Sequence, residues 1–246
     1  MKKKNVIIIS IIIVVLAATC FIGYKYYLLN KYSTSQFDNE YSYFLDILKK
    51  KDTYTIEHKE NPAYNYLTYD KLKLENVFTN YVLKDQDQNN LVEYQLYEND
   101  KVISSVMFLE TNPIYKSEIF KDEEKIPIDN ILKRHNLQDT LELFEYLTDN
   151  ENKNCTIFSS KEDIKENYAI KKALAMAYGD TEDTNNNLQS ITFIDGQYKG
   201  YLMTYPTSYE INILRDEKVY SIFLIKTNLS KEQVYDLLDT LKIESK

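Results

Sequence analysis

The chain has 246 residues and a net charge of −8, but its charges are distributed unevenly. Residues 1–37 carry five lysines and no acid, so removing them from the total leaves a net charge of −13 on the rest of the chain. A domain this acidic repels phosphate backbones, and we therefore expect no nucleic-acid partner. Cys20 and Cys155 lie in different parts of the chain, so no disulfide framework is expected.

Residues 6–24 form an apolar run of 19 residues without a charge. As a helix this run would be about 28 Å long, close to the ~30 Å hydrocarbon core of a bilayer. Lysines occupy positions 2–4, and Tyr24, Tyr26 and Tyr27 lie at the other end of the run, where an aromatic belt belongs. The pattern predicts a transmembrane helix that contacts membrane lipid through residues 6–24.

The charges on the two sides of this run predict its orientation. More positive charge precedes the run than follows it, which places residues 1–5 in the cytoplasm and the domain outside. Residues 25–35 are expected to form a juxtamembrane linker, in which Lys25 extends toward the headgroups. The predicted location is therefore the cell membrane, with a single span and residues 36–246 as an extracytoplasmic domain.

Two other interpretations of the apolar run stay open. A signal peptide could be cleaved after the small residues Ala17 and Ala18. Alternatively, the run could be a lipoprotein signal in which Cys20 is lipidated. The residues before Cys20 depart from a lipobox because Leu16 lies four positions before the cysteine instead of three, and bulky Phe21 follows it.

The first part of the domain mixes helical and strand patterns. Residues 36–50 have apolar side chains at helical spacing and predict an amphipathic helix. Residues 53–58 alternate as a strand does, and residues 72–84 fit a strand or a helix equally well. Residues 91–97 and 101–109 predict a β-hairpin.

The middle of the chain is predicted to be mainly helical. Residues 129–135 and 139–147 have helical apolar spacing. Residues 155–158 predict a short strand, and Ser159 then begins a helix that stops at Gly179.

The last sixty residues predict strands followed by a helix. The strands are expected at 188–194, 197–205, 209–213 and 218–225, with a tight turn at Asp195-Gly196. Ser230 and Gln233 form a capping box before a helix whose apolar face comprises Val234, Leu237, Leu238 and Leu241.

The predicted fold class is α+β: an N-terminal transmembrane helix, then an antiparallel-sheet domain with packed helices. We expect it to end in a four-stranded meander plus a C-terminal helix, with one sheet face free. This ending resembles bacterial lipoprotein-type envelope domains, which implies a fold and not a function. Two lobes, about 36–150 and 151–246, are an alternative division of the domain.

No catalytic residue and no cofactor are predicted. The only histidines are His58 and His135, and neither lies beside a nucleophile motif. Both are expected to be solvated surface residues.

One loop has weak metal-binding character. Asp85, Asp87 and Asn89 match the first side-chain ligands of an EF-hand calcium loop. However, Asn90 replaces the required glycine, and Leu96 stands where the twelfth-position glutamate belongs. An ordinary polar connection between strands is the competing interpretation.

The chain contains 23 tyrosines, and those near its end are a candidate interaction surface. Exposed tyrosines suit protein or sugar recognition because they offer apolar area and a hydroxyl group. The competing interpretation is that tyrosine is a favoured strand residue, half of whose copies face the core. The candidate surface comprises Tyr198, Tyr201, Tyr205, Tyr209 and Tyr220.

The residue usage, rich in Lys, Asn, Ile and Tyr and without Trp, is typical of bacterial genomes of low GC content. With the apolar run and the acidic domain, it favours a non-enzymatic binding domain at the bacterial cell envelope. The expected partner is another envelope protein or a wall component. The alternative is a membrane-tethered hydrolase that uses a carboxylate pair, which would require a cleft with two facing acids.

Overall fold

The computed structural model describes residues 3–57, 66–69, 72–75, 81–84, 91–98, 101–111, 128–150, 154–178, 187–215 and 218–243. It is a mixed α+β fold, with an N-terminal apolar helix, one large and mostly antiparallel sheet, and helices packed on that sheet. The helices are α1 (Lys3–Lys31), α2 (Asp38–Lys49), α3 (Ile128–His135), α4 (Thr140–Asp149), α5 (Lys161–Tyr178) and α6 (Lys231–Asp239). The strands are β1 (Asp52–Thr55), β2 (Tyr66–Tyr69), β3 (Leu72–Glu75), β4 (Tyr81–Lys84), β5 (Leu91–Glu98), β6 (Lys101–Thr111), β7 (Ser190–Asp195), β8 (Lys199–Thr204), β9 (Tyr209–Arg215), β10 (Lys218–Ile225) and β11 (Lys242–Ile243).

The large sheet has eight strands in the order β1-β7-β8-β9-β10-β6-β5-β4. Strands β7 to β10 pair antiparallel in chain order, and β10 continues the sheet by pairing with β6. Only the edge pair β1–β7 is parallel among the described strands of this sheet. A second, antiparallel sheet joins β11, β3 and β2.

One face of the large sheet packs against α6. The alternation along β9 turns Tyr209, Ile211 and Ile213 toward this face, as the period of two requires. Leu237 and Leu238 of α6 complete the core and are essentially inaccessible to solvent. Burying each such leucine contributes about 1.5–3 kcal/mol to folding.

The opposite face of β7 and β8 packs against α2, α3, α4 and α5. Met203 and Tyr201 of β8 contact this helical layer, where the Tyr201 ring meets that of Phe144 edge-on at 5.4 Å. The prediction of a free sheet face is therefore wrong at these strands. Both strands are buried at their four central positions, a pattern typical of strands covered on both faces.

Close backbone contact inside the sheet explains one glycine. A Cβ added at Gly200 would lie 2.0 Å from the backbone oxygen of Asn212 on β9. Only a residue without a side chain allows β8 to approach β9 this closely.

Several strands predicted from the sequence can be compared with those in the structure. The hairpin of residues 91–97 and 101–109 is confirmed by the pairing of β5 with β6. The ambiguous segment 72–84 contains the strands β3 and β4. The strand predicted at 155–158 is wrong: these residues form a loop and turn, because their polar groups bond one another locally and do not join a strand ladder.

Candidate functional site

Helix α1 begins apolar and exposed and ends docked on the domain. From Ile11 to Ile22 its large hydrophobic side chains are exposed to the surroundings. Within the 22-residue stretch Ser10–Lys31, the most apolar 18 residues have a mean hydropathy of 1.9, and only 11% of these residues are buried. Within the described residues it is the one helix long and apolar enough to cross a membrane, a property that signal sequences share. The helix runs through Lys31, so most of the expected linker, residues 25–35, is helical.

The end of α1 packs against the start of α5. Leu28 and Tyr32 join Ile164 in a small apolar cluster, and all three are almost completely buried. The Tyr32 and Tyr168 rings meet edge-on with 5.7 Å between their centroids. Such an aromatic pair contributes about 0.5–1.5 kcal/mol beyond the area it buries.

Lys25 lies at the same junction, and the prediction that it extends toward the headgroups is wrong. The lysine is buried, with 7% of its surface exposed, and its Nζ donates to the backbone oxygen of Ser159. A buried ammonium group needs an acceptor, and the turn before α5 supplies one. Lys25 therefore ties α1 to that turn.

The start of α5 is fixed by reciprocal capping. The backbone N–H of Asp163 donates to the Ser160 hydroxyl at 3.0 Å, and the backbone N–H of Ser160 donates to an Asp163 carboxylate oxygen at 3.1 Å. These bonds satisfy backbone donors that a helix start leaves free. The Ser160 hydroxyl, together with Arg134, holds the pKa of Asp163 below its ordinary value.

A cluster of charged groups lies beside this cap. Arg134 at the end of α3 donates to Glu166 at 3.0 Å and also binds Asp163. His135 Nε2 lies 2.6 Å from the other oxygen of Glu166 and 3.2 Å from the Tyr146 hydroxyl. The prediction that His135 is a solvated surface residue is wrong, because Glu166 and Tyr146 cover it and leave 18% of its side chain exposed. His58 lies outside the described residues.

A cavity of about 70 Å³ adjoins this cluster between α2, α4 and α5. It is far below the ~300–1,000 Å³ of ordinary ligand pockets and suits a few water molecules. Two of its lining acids, Asp163 and Glu166, both bind Arg134. The Ser160 hydroxyl and Arg134 favour the carboxylate form of Asp163, whereas the general acid of a glycosidase has to be protonated.

A larger hollow of about 310 Å³ lies at the β1 edge of the sheet. Within the described residues β1 pairs with β7 alone, so its other side has no strand neighbour there. The Asp239 carboxylate fixes the position of β1 by accepting from the Tyr54 hydroxyl and the Glu57 backbone N–H, each at 2.9 Å.

The hollow has an acidic rim around an apolar floor. Its apolar side chains are those of Phe193 and Leu141, and Lys51 lies 4.2 Å from the centroid of the Phe193 ring. The charged lining residues are Asp139, Glu142, Glu145, Asp195 and Lys199. Four acids against Lys199 and the neighbouring Lys51 leave an excess of negative charge around the hollow, which attracts a cationic partner.

The candidate tyrosine surface is placed mostly inside the two cores. Tyr198, Tyr201, Tyr209 and Tyr220 are at most 9% exposed, and Tyr205 is partly buried. Their hydroxyls also have internal bonds: Tyr209 donates to the Leu229 backbone oxygen, and Tyr198 accepts from the Ile243 backbone N–H, each at 2.9 Å. In this fold these side chains hold strands and loops together, and Phe158 at 86% is far more exposed than any of the four.

A polar row within the sheet has no counterpart in the sequence analysis. Asn212 donates to Glu210 at 2.8 Å and accepts from the Ser221 hydroxyl at 2.6 Å. Burial raises the pKa of Glu210 above its ordinary value, while hydrogen bonds from Asn212 and Tyr205 oppose the rise. Positions 210 and 212 are the polar positions of an alternating strand, a pattern that does not indicate burial of the Asn212 side chain.

The weak calcium candidates Asp85, Asp87 and Asn89 lie outside the described residues, so the calcium interpretation stays a prediction. Among the residues that the structure does describe, no group of three or more His, Cys, Asp or Glu side chains is arranged to hold a metal ion.

No protein-family model matches the chain, and no curated protein is significantly similar to it in sequence.

Proposed function

We propose that this protein is a single-pass membrane protein of the bacterial cell envelope whose domain lies outside the cytoplasm. The observation that carries the proposal is the division of α1 into an exposed apolar part and a docked end. An apolar surface of this length needs lipid around it, since water would have to hydrate every face of the helix. The docked end, from Lys25 to Tyr32, holds the domain close to the point where the helix leaves the bilayer.

The domain acts by binding, and the acidic hollow beside β1 is its binding site. The hollow combines features that suit a protein partner: an apolar floor, a charged rim and an adjacent strand edge. The net charge of −13 outside residues 1–37 attracts a basic partner over a longer range. The partner is another envelope protein or a wall component that presents positive charge.

Membrane attachment and orientation are tested together. The full chain is expressed in a bacterium, and its membranes are extracted with alkaline carbonate, which releases peripheral proteins. The chain should stay in the membrane pellet, and protease added outside intact spheroplasts should digest the domain. The matched variant Val14→Arg/Val15→Arg should be released, because each arginine at the span centre costs about 2.5–3.5 kcal/mol. Recovery of the wild-type chain in the soluble fraction with residues 1–30 intact would contradict the proposal.

The mass of the extracted chain decides between the three interpretations of the apolar run. An uncleaved anchor has the mass of all 246 residues. A cleaved signal peptide gives a shorter chain that leaves the membrane. Lipidation gives a chain that begins at a modified Cys20, and the substitution Cys20→Ser should abolish this modification.

Binding at the hollow is tested by site-specific photocrosslinking in cells. A photoreactive amino acid at Thr53, which lines the hollow, should give an adduct of defined mass. The same amino acid at Val102, which is 44% exposed on β6, is the control and should give none. Adding Glu142→Lys and Glu145→Lys should abolish the Thr53 adduct if charge attracts the partner. An adduct that survives both charge reversals would refute a basic partner at this hollow.

A further inference from the structure

Phe158 is the most exposed large hydrophobic residue of the described chain, at 86%. Among the described residues outside α1, the other exposed large hydrophobics are Tyr97, Val102 and Ile103, with 39% to 44% of their surface exposed. A single exposed apolar side chain is common and by itself indicates nothing. The exposure of Phe158 is informative because of where the residue lies relative to α1.

The turn that carries Phe158 is closed by its own hydrogen bonds. The Ser159 N–H donates to the Thr156 backbone oxygen at 3.0 Å, and the Thr156 N–H donates to the Ser159 hydroxyl at 2.9 Å. The N–H of Phe158 itself donates to the Thr156 hydroxyl at 3.2 Å. The turn therefore holds the phenyl ring outward in a defined place.

Helices α1 and α5 run in the same direction along their contact. At the N-terminal end of the contact, Lys25 binds the turn at Ser159. At its C-terminal end, the Tyr32 ring contacts that of Tyr168. The start of α5 consequently points toward the apolar part of α1, and so does the turn before it. That turn lies beside Lys25, the residue that follows the end of the apolar run at Tyr24.

We propose that the Phe158 ring inserts into the bilayer surface beside α1 and forms a second membrane contact. This inference rests on the proposed membrane attachment. At the level of Lys25 the ring meets the boundary between headgroups and acyl chains, where apolar side chains such as phenylalanine bury themselves. Because the chain is already tethered there, the ring acts at a high effective concentration and needs little affinity of its own. Two contacts fix how the domain faces the membrane, whereas one helix alone leaves it free to tilt.

The absence of tryptophan from the sequence makes the test direct. Phe158→Trp in the full chain gives a protein with one tryptophan, reconstituted in phosphatidylcholine vesicles with or without lipids brominated near the top of the acyl chains. Tyr24→Trp reports on the anchor, and Tyr97→Trp, on β5 at a residue 43% exposed, is the solvent control. Circular dichroism of each variant checks that the fold is retained.

If the inference holds, brominated lipid quenches the tryptophan emission of the Phe158→Trp variant nearly as strongly as that of the Tyr24→Trp variant. Iodide should quench the emission of both variants several-fold less than it quenches that of Tyr97→Trp. Lipid quenching at position 24 with iodide access at position 158 would overturn the second contact and leave the anchor intact. Shielding of position 158 from both quenchers would also overturn it, since the ring would then face protein. Absence of lipid quenching at both positions would refute the proposed membrane attachment itself.

Discussion

The two faces of the eight-stranded sheet are covered by very different structures. The face against α6 is mainly aliphatic, with Leu237 and Leu238 closing a core of strand side chains. The face against α2, α4 and α5 contains the Arg134–Glu166 ion cluster and a cavity, and α5 of this layer also receives the end of α1. The α6 face therefore serves stability, while the helical layer also connects the sheet to the apolar helix α1. Substitutions on the two faces should therefore differ in size and in pH dependence.

The largest effect is expected on the α6 face. Leu238→Ala should lower the free energy of unfolding by about 2–5 kcal/mol, because a fully buried leucine leaves a cavity when it is truncated. Urea unfolding of the full chain in detergent micelles, followed by circular dichroism, measures the loss. Phe158→Ala is the control, since its exposed ring should change the unfolding free energy by less than about 0.5 kcal/mol. Equal losses in the two variants would contradict the assignment of Leu238 to a core.

The next effect is expected in the ion cluster of the helical layer. Glu166→Gln should lower the unfolding free energy by about 1.5–3 kcal/mol, because the carboxylate accepts from Arg134 and lies 2.6 Å from His135. Glu145→Gln is a matched control: its carboxylate is 60% exposed and 3.5 Å from Lys51, a pair that contributes little. Similar losses in the two variants would show that the cluster is an ordinary surface ion pair.

The parts of the fold that the sequence predicted are those with short-range signals. The capping box of Ser230 and Gln233 is present as predicted, and the buried face of α6 follows from apolar spacing within a few residues. The helix predicted at 139–147 begins at its cap, where Asp139 accepts from the Glu142 N–H at 3.0 Å. Such signals depend on neighbouring residues only.

The parts that the sequence did not predict depend on distant residues. The parallel pairing of Thr53 on β1 with Phe193 on β7 joins segments far apart in the chain, and nothing local specifies it. His135 has the local pattern of a solvated helix end, yet Glu166 comes from another helix. The tyrosines were ambiguous for the same reason, since a strand's preference for tyrosine does not tell which sheet face the side chain lies on.

The smallest effect on the unfolding free energy is expected at Asp163, at the start of α5 in the helical layer. Unlike the loss at Leu238 on the α6 face, this effect should depend on pH. The Ser160 hydroxyl and Arg134 hold the pKa of Asp163 below the ordinary value of 3.8. Because the pKa is lower in the folded chain than in the unfolded chain, the stabilisation is complete above the unfolded pKa and is lost as the pH falls through the folded pKa. Asp163→Asn should therefore cost on the order of 1 kcal/mol near neutral pH and progressively less in acid.

Thermal unfolding of both proteins between about pH 6 and about pH 2.5 measures this difference. Asp46→Asn is the matched control, because the Asp46 side chain is 68% exposed and lies 3.6 Å from Lys49 in an exposed pair. A difference between wild type and Asp163→Asn that stays constant with pH would mean that the charge of Asp163 contributes nothing. A difference that grows in acid would mean that the folded pKa is raised, and the cap and Arg134 would then not stabilise the carboxylate. The expected decrease would show that the start of α5, where α1 is tied down, is held by charge as well as by packing.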